Sequence, residues 1–155
     1  MNNLTPEQHE FVTRYLTSLP EAEQAVQIFA EHFCADEYNA NECARLINIG
    51  QKTATCSLKA AYEIEHEPLP AVGRLTLVLN WSQQPVCIIR TSKVTICPFN
   101  QVEPEFAAAE GEGDGSYEWW RDAHMKFFSQ YAEEVGTEFN EDSELVLEHF
   151  DKVYP

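Results

Sequence analysis

The constraint that most limits how this 155-residue chain can fold is a change of hydrophobic period at Gly50. Before it, apolar residues recur at the three- and four-residue spacing of amphipathic helices. After it they alternate with polar ones, the two-residue spacing of a strand with one buried face. On the helical side, Ala22, Val26, Phe29 and Phe33 predict a helix over Leu19 to Phe33, opened by Ser18-Leu19-Pro20-Glu21 with a capping-box pattern and an early proline. A second helix is predicted from about Asn41 through Cys43, Leu46 and Ile47, closing at Gly50, because glycine accepts the positive φ at which helices stop. Thr5-Pro6-Glu7 predicts one more helix start, so residues 1 to 18 read as a helical extension.

On the strand side, Thr53, Thr55 and Ser57 alternate with Ala54, Cys56 and Leu58. Arg74 to Trp81 and Val86 to Ile96 are rich in β-branched residues, and Ser82-Gln83-Gln84-Pro85 leaves a connection short enough for a hairpin. The glycine-rich run from Gly111 to Gly115 interrupts regular structure. Ser116 then caps a long aromatic stripe, Tyr117, Trp120, His124, Phe127, Phe128 and Tyr131. A closing strand is expected over Leu145 to Tyr154. Helices, strands, a helix and a last strand predict a single α+β domain around a small sheet or barrel.

Composition limits the partners. Twenty-six acidic residues against ten basic ones give a formal charge of −16, which opposes undirected binding to nucleic acid or anionic lipid. Only the middle third is basic. Residues 50 to 100 carry five basic and three acidic side chains, so Lys52, Lys59, Arg74, Arg90 and Lys93 predict a local pocket that tolerates a small polar ligand. Five cysteines without a CxxC pair suggest neither a disulfide framework nor a four-thiolate zinc site, and reduced thiols in a cytoplasm are expected. Neither a signal peptide nor a membrane span is expected.

The sharpest motif is Gly50-Gln51-Lys52-Thr53-Ala54-Thr55. It resembles a phosphate loop only superficially: the upstream glycine is missing, Gln51 separates Gly50 from Lys52, and a helix precedes it where a strand should. A lysine three residues before a threonine offers a base and a hydroxyl nucleophile, provided that the turn is irregular enough to bring both to one side. The base role requires burial to lower the lysine pKa toward neutrality. The other reading is a lysine that complements the C-terminal dipole of the preceding helix. HExxH and the zinc deaminase pattern are absent, so no metal or cofactor is expected.

GQKTAT, the strand that begins at Gly73-Arg74, the segment Phe106-Ala107-Ala108-Ala109-Glu110-Gly111-Glu112-Gly113-Asp114, and Trp120-Arg121-Asp122-Ala123-His124 with Phe127-Phe128 together resemble the ASCH domain family in its longer bacterial form. The resemblance spans about residues 25 to 154 and centres on the G-x-K-x-x-T turn. It implies a PUA-like small β-barrel with flanking helices and a cleft beside that turn, which Phe33-Cys34 would also approach. It implies either hydrolysis of N4-acylated cytidines or, in other members, RNA binding and ribonuclease action. A nucleotide-ligand sensor without catalysis is the third reading.

Carried over residue by residue, the amidohydrolase resemblance implies Lys52 as base, Thr55 as nucleophile and Glu110 as the group that serves the departing cytidine nitrogen. Spacing alone favours Glu110 over Glu112. The ribonuclease-type members use a tyrosine six residues before the lysine, where this chain has Leu46. A base-binding pocket needs flat surfaces and anchoring groups, for which Trp119, Tyr38 and Arg121 are the candidates, with Arg74, Arg90 and Ser116 as further ligand contacts. Trp120, Phe127 and Tyr131 read as core, and so does Cys56. The expected partner is a small modified nucleoside or RNA, with neither membrane nor DNA.

Overall fold

The computed structural model describes residues 4–24 and 27–155. Thr5 begins the first helix, α1 (Pro6–Thr17): its hydroxyl accepts the Gln8 N–H while the Gln8 side chain returns to the Thr5 N–H. Val12, Tyr15 and Leu16 form its buried stripe. Helix α2 (Glu37–Asn48) starts earlier than the apolar pattern suggests, because Asp36 caps it by accepting the Asn39 N–H at 2.9 Å. It closes at Gly50, φ +84°, as predicted.

Among the described residues, five strands follow the order β1-β3-β4-β5-β2. They are β1 (Ile28–Glu31), β2 (Ala54–Leu58), β3 (Leu75–Leu79), β4 (Pro85–Pro98) and β5 (Glu144–Tyr154). β1 runs parallel to β3, and every other pair is antiparallel. β3 is buried at all five positions, which explains why its sequence, LTLVL, is nearly continuously apolar. Leu75, Leu77 and Leu79 face α1, and Val78 faces α2 from the opposite side. β4 bends where its register with β5 shifts between Thr91 and Lys93, so its first half pairs with β3 and β5 and its second half with β5 alone.

The third layer is α5 (Tyr117–Val135), capped by Ser116, with the short helices α3 (Lys59–Ile64) and α4 (Pro104–Glu110). Trp120, Phe128 and Ala132 pack with Phe99 and Phe106 on Ala54, Leu58, Leu145 and Leu147.

Two expectations are corrected. Leu19 to Phe33 is not a helix: among the described residues it holds a 3-10 turn, Glu21–Glu23, and strand β1. Val26, part of that prediction, lies outside the described residues. The helical spacing of Phe29 and Phe33 is overridden by pairing with β3, where Ile28 sits opposite Leu75 and is buried. The sheet is not a closed barrel, since β1 and β2 are its two ends and do not pair. They still serve one cavity, described below.

Leu145 is fully buried at the centre of the α5 layer. Leu145→Ala is expected to cost about 3 kcal/mol, from lost apolar burial plus an unfilled cavity. Urea denaturation should show a lower midpoint with an unchanged slope.

Candidate functional site

The G-x-K-x-x-T turn is built by α2, β2 and the end of α4. Past Gly50, the Gln51 and Lys52 N–H groups both return to Leu46 O, at 2.9 and 3.0 Å. The Thr53 N–H donates to Ala109 O at 2.7 Å, and the Gln51 side chain donates to Gly111 O at 2.8 Å. Gly111 adopts φ +67°, and a Cβ there would stand 2.3 Å from Gln51 O, so only glycine allows α4 to end against this turn. These contacts explain why GQKTAT and EGEG occur in one chain.

Their product is a buried ammonium. Lys52 is 2% exposed, and its Nζ donates to Ala54 O at 2.8 Å, Glu110 Oε1 at 3.0 Å and Glu112 Oε2 at 3.0 Å. All three ammonium protons have acceptors. Glu110 is 1% exposed, and its other oxygen, Oε2, accepts the Trp120 indole N–H. Around the same oxygen stand the Cys56 thiol, at 3.4 Å, and His124 Nε2, at 3.3 Å. His124 is fixed in turn by a 2.8 Å bond from Nδ1 to the Trp120 carbonyl. Glu112 is more accessible and also accepts the Cys43 thiol, at 3.3 Å.

Burial acts to lower the Lys52 pKa, but the facing carboxylates of Glu110 and Glu112 outweigh it and hold the pKa above the ordinary value. The expected lowering toward neutrality is therefore reversed, and the resting side chain is an ammonium. Burial acts to raise Glu110, and Lys52 and His124 overcome that and hold it below its usual range. Burial pushes the Cys56 thiol well up, which opposes a nucleophilic role.

Lys52, Glu110 and Glu112 line one wall of a cavity of about 810 Å³. Thr55, Cys56 and Ser57 of β2 form another part, and the segment after β1, including Phe33 and Cys34, closes the far side. The structure thus brings Lys52, Thr55 and Glu110 into one cavity. None of the hydrogen bonds of Lys52 reaches Thr55. The N–H groups of residues 50 to 53 are all engaged, so the turn offers no free backbone donor to an oxyanion.

Of the ligand contacts expected from sequence, Trp119 lines the cavity, its ring stacked so closely on Gly113 that a Cβ there would touch it at 2.1 Å. Ser116 serves as the α5 cap. Tyr38 is 74% exposed and, like Arg90 and Arg121, stands away from the cavity lining. Arg90 reaches Tyr15 OH, at 3.3 Å, and Arg121 pairs with Glu141, at 2.5 Å. Arg74 lies over the Phe29 ring, at 4.0 Å. Phe127 and Tyr131, expected in the core, stack on each other at 5.9 Å along the cavity; Phe127 is exposed, while Tyr131 is half-buried and also packs against the core. Sequence reasoning missed Ser57 and Tyr62, whose hydroxyls bond at 2.8 Å and face the same space. The strand alternation of Ser57 with Thr55 was the available signal.

Among the described residues, two groups of side chains have ligand atoms within 4.8 Å of one another: Cys34, Cys43 and Glu112, and Cys56, Glu110 and His124. In both, the carboxylate is already bound to the Lys52 ammonium, whose charge opposes a divalent cation beside it.

The buried pair has a defined pH signature. Stability from Glu110 is complete above its ordinary pKa of 4.5 and is lost as pH falls through its lower folded value. Stability from Lys52 is complete below 10.5 and is lost only as pH rises through its still higher folded value. Glu110→Gln should therefore shallow the loss of stability below pH 4.5, as measured by denaturation across pH. An acid limb as steep as that of the parent chain would contradict the assignment.

The ASCH domain family model matches residues 29–154. An ASCH domain structure from Lactobacillus crispatus JV V101 is 46% identical, with a TM-score of 0.95 over 100% of this chain and 99% of that one. A structure from Enterococcus faecalis V583, described under family model DUF984, is 30% identical, with a TM-score of 0.81 over 94% and 90%. No match is found among curated proteins. No helix among the described residues is long and apolar enough to cross a membrane. The structural match and the family match over residues 29–154 agree, and this chain belongs to the ASCH domain family.

Proposed function

We propose that the protein is an amidohydrolase that releases cytidine from N4-acylated cytidines, with Thr55 as nucleophile and Lys52 and Glu110 moving the protons. The observation that carries this reading is the buried Lys52 ammonium, 3.0 Å from Glu110, in the cavity that Thr55 also lines. A proton can pass along that hydrogen bond. Lys52 gives one to Glu110, and the neutral amine so formed takes the proton of Thr55 Oγ1 as the oxygen attacks the acyl carbon. Lys52 is then an ammonium again, beside the new oxyanion, and supplies the positive charge that the backbone of the turn does not. Glu110, now a carboxylic acid, protonates the departing N4 nitrogen. Water hydrolyses the acyl-Thr55 ester to acetate and restores the threonine. The step balances without a metal.

The charge distribution favours a small neutral ligand over a long polyanion. Glu31, Glu65, Glu67, Glu134 and Glu148 also line the cavity, and burial pushes the Glu148 carboxyl up. A phosphate backbone would face these carboxylates and a net charge of −16. Trp119, Phe127 and Tyr131 supply the flat surfaces on which a base can stack.

Incubation with N4-acetylcytidine in the presence of a chelator, followed by chromatography, tests the reading. The parent chain should release cytidine. Lys52→Ala and Thr55→Val should lose about 100-fold or more of that rate, the loss typical of a removed acid–base or nucleophilic group. Equal release by the parent and both variants would refute the mechanism.

A further inference from the structure

The thiols of Cys34 and Cys43 have no part in the proposed reaction, yet their Sγ atoms lie 3.1 Å apart beside Glu112. That is closer than two unbonded sulfurs pack by contact alone. Cys34 lines the site, and Cys43 reaches it through its bond to Glu112, which lines it too. Cys34 is half-buried, lines the cavity and sits at φ +69° in the turn between β1 and α2. Cys43 is buried on α2, nine residues after Cys34 in sequence. Among the described residues, Cys87 and Cys97 have no sulfur partner, and the Cys56 thiol donates to Glu110 beside His124.

We propose that Cys34 and Cys43 are a modification site: a dithiol that a peroxide converts to a reversible disulfide next to the buried lysine. The two sulfurs occupy different roles. Cys34, on the cavity, is reached from solvent and attacks one oxygen of the peroxide as its thiolate. The O–O bond breaks, hydroxide leaves, and Cys34 becomes a sulfenic acid. Cys43 resolves it: its sulfur attacks Cys34 Sγ, the S–O bond breaks, and the oxygen leaves as water. Glu112 Oε1, which already accepts the Cys43 thiol proton at 3.3 Å, takes that proton as the S–S bond closes and passes it to the departing hydroxide, which so leaves as water; the hydroxide of the first step takes up the proton that Cys34 gave to solvent. Two thiols lose two electrons and two protons, and one peroxide becomes two waters.

The geometry also says why Cys43 is the resolving sulfur and not the attacking one. Its bond with Cys34, its burial and the Glu112 charge together hold it as a neutral thiol. Closing the bond asks the sulfurs to approach from 3.1 Å to about 2.05 Å, a movement of roughly one ångström in a loop that leads into a helix. The closed form ties the cavity wall after β1 to α2 and removes one donor from Glu112, the carboxylate that holds Lys52. The inference does not depend on which reaction the cavity performs.

The test is to treat the purified full chain with stoichiometric hydrogen peroxide, count its thiols after denaturation, and map peptides without reduction. The five free thiols should fall to three, with Cys34 and Cys43 in one linked peptide pair that dithiothreitol reopens. In Cys43→Ser no linked pair should form and Cys34 should be trapped by a sulfenic-acid reagent. Glu112→Gln should slow closure about tenfold or more without slowing the first oxidation of Cys34. A different linked pair, or Cys34 oxidised to sulfinic acid with Cys43 still free in the parent chain, would overturn the proposal. Closure at an unchanged rate in Glu112→Gln would overturn the role given to Glu112.

Discussion

A charged lysine buried among three acceptors is the interaction on which the rest of the site depends. Removing an ammonium from water costs several kcal/mol, and the cost is offset only when its protons and the facing charges are all satisfied. Here Ala54 O, Glu110 and Glu112 come from β2 and from the two sides of Gly111, while Trp120 on α5 and the Cys56 thiol complete Glu110. The helix end at Gly50, the strand start at Ala54, the end of α4 and the first turns of α5 must all meet at one point. The chain builds a sheet and three helical layers around that requirement.

The same interaction divides the proton chemistry between two residues. A solitary buried lysine would be neutral and ready to act as a base, whereas one held between carboxylates rests charged and must first give a proton up. The neighbouring Glu110 is the acceptor within reach, so acid and base arise together from one transfer. The cavity adds aromatic surface on α5 and a set of carboxylates, which suits an uncharged base with an amide more than a chain of phosphates.

Much of this was readable in the residues. Gly50 ends α2 because it can take positive φ, the alternation after it is β2, and Thr5 and Ser116 cap the helices that their neighbours suggest. The likeness of the turn and the EGEG segment to one family points to Lys52, Thr55 and Glu110 as one group, and all three line one cavity. Other features were hidden for physical reasons. Phe29 and Phe33 fit a helix in isolation, and only pairing with β3, more than forty residues on, makes Ile28 to Glu31 a strand. α4 is an alanine-rich helix of seven residues between a proline and a glycine run, too short to display a period. The direction of the Lys52 pKa follows from carboxylates 58 and 60 residues away, a contact that no local pattern encodes. Tyr38, Arg90 and Arg121 were attractive as residue types, and the fold turns them elsewhere.

The most direct test of the central claim is the ionisation of Lys52 itself, followed by NMR of lysine labelled at the side chain, with Lys52→Arg used to assign the signal. The account predicts an ammonium that keeps its charge beyond the ordinary lysine value of 10.5, in slow exchange with water, and that titrates lower when Glu110 is replaced by glutamine. A side chain that loses its proton between pH 6 and 9 in the parent chain would contradict it, and the lysine would then act as a base without the help of its neighbour.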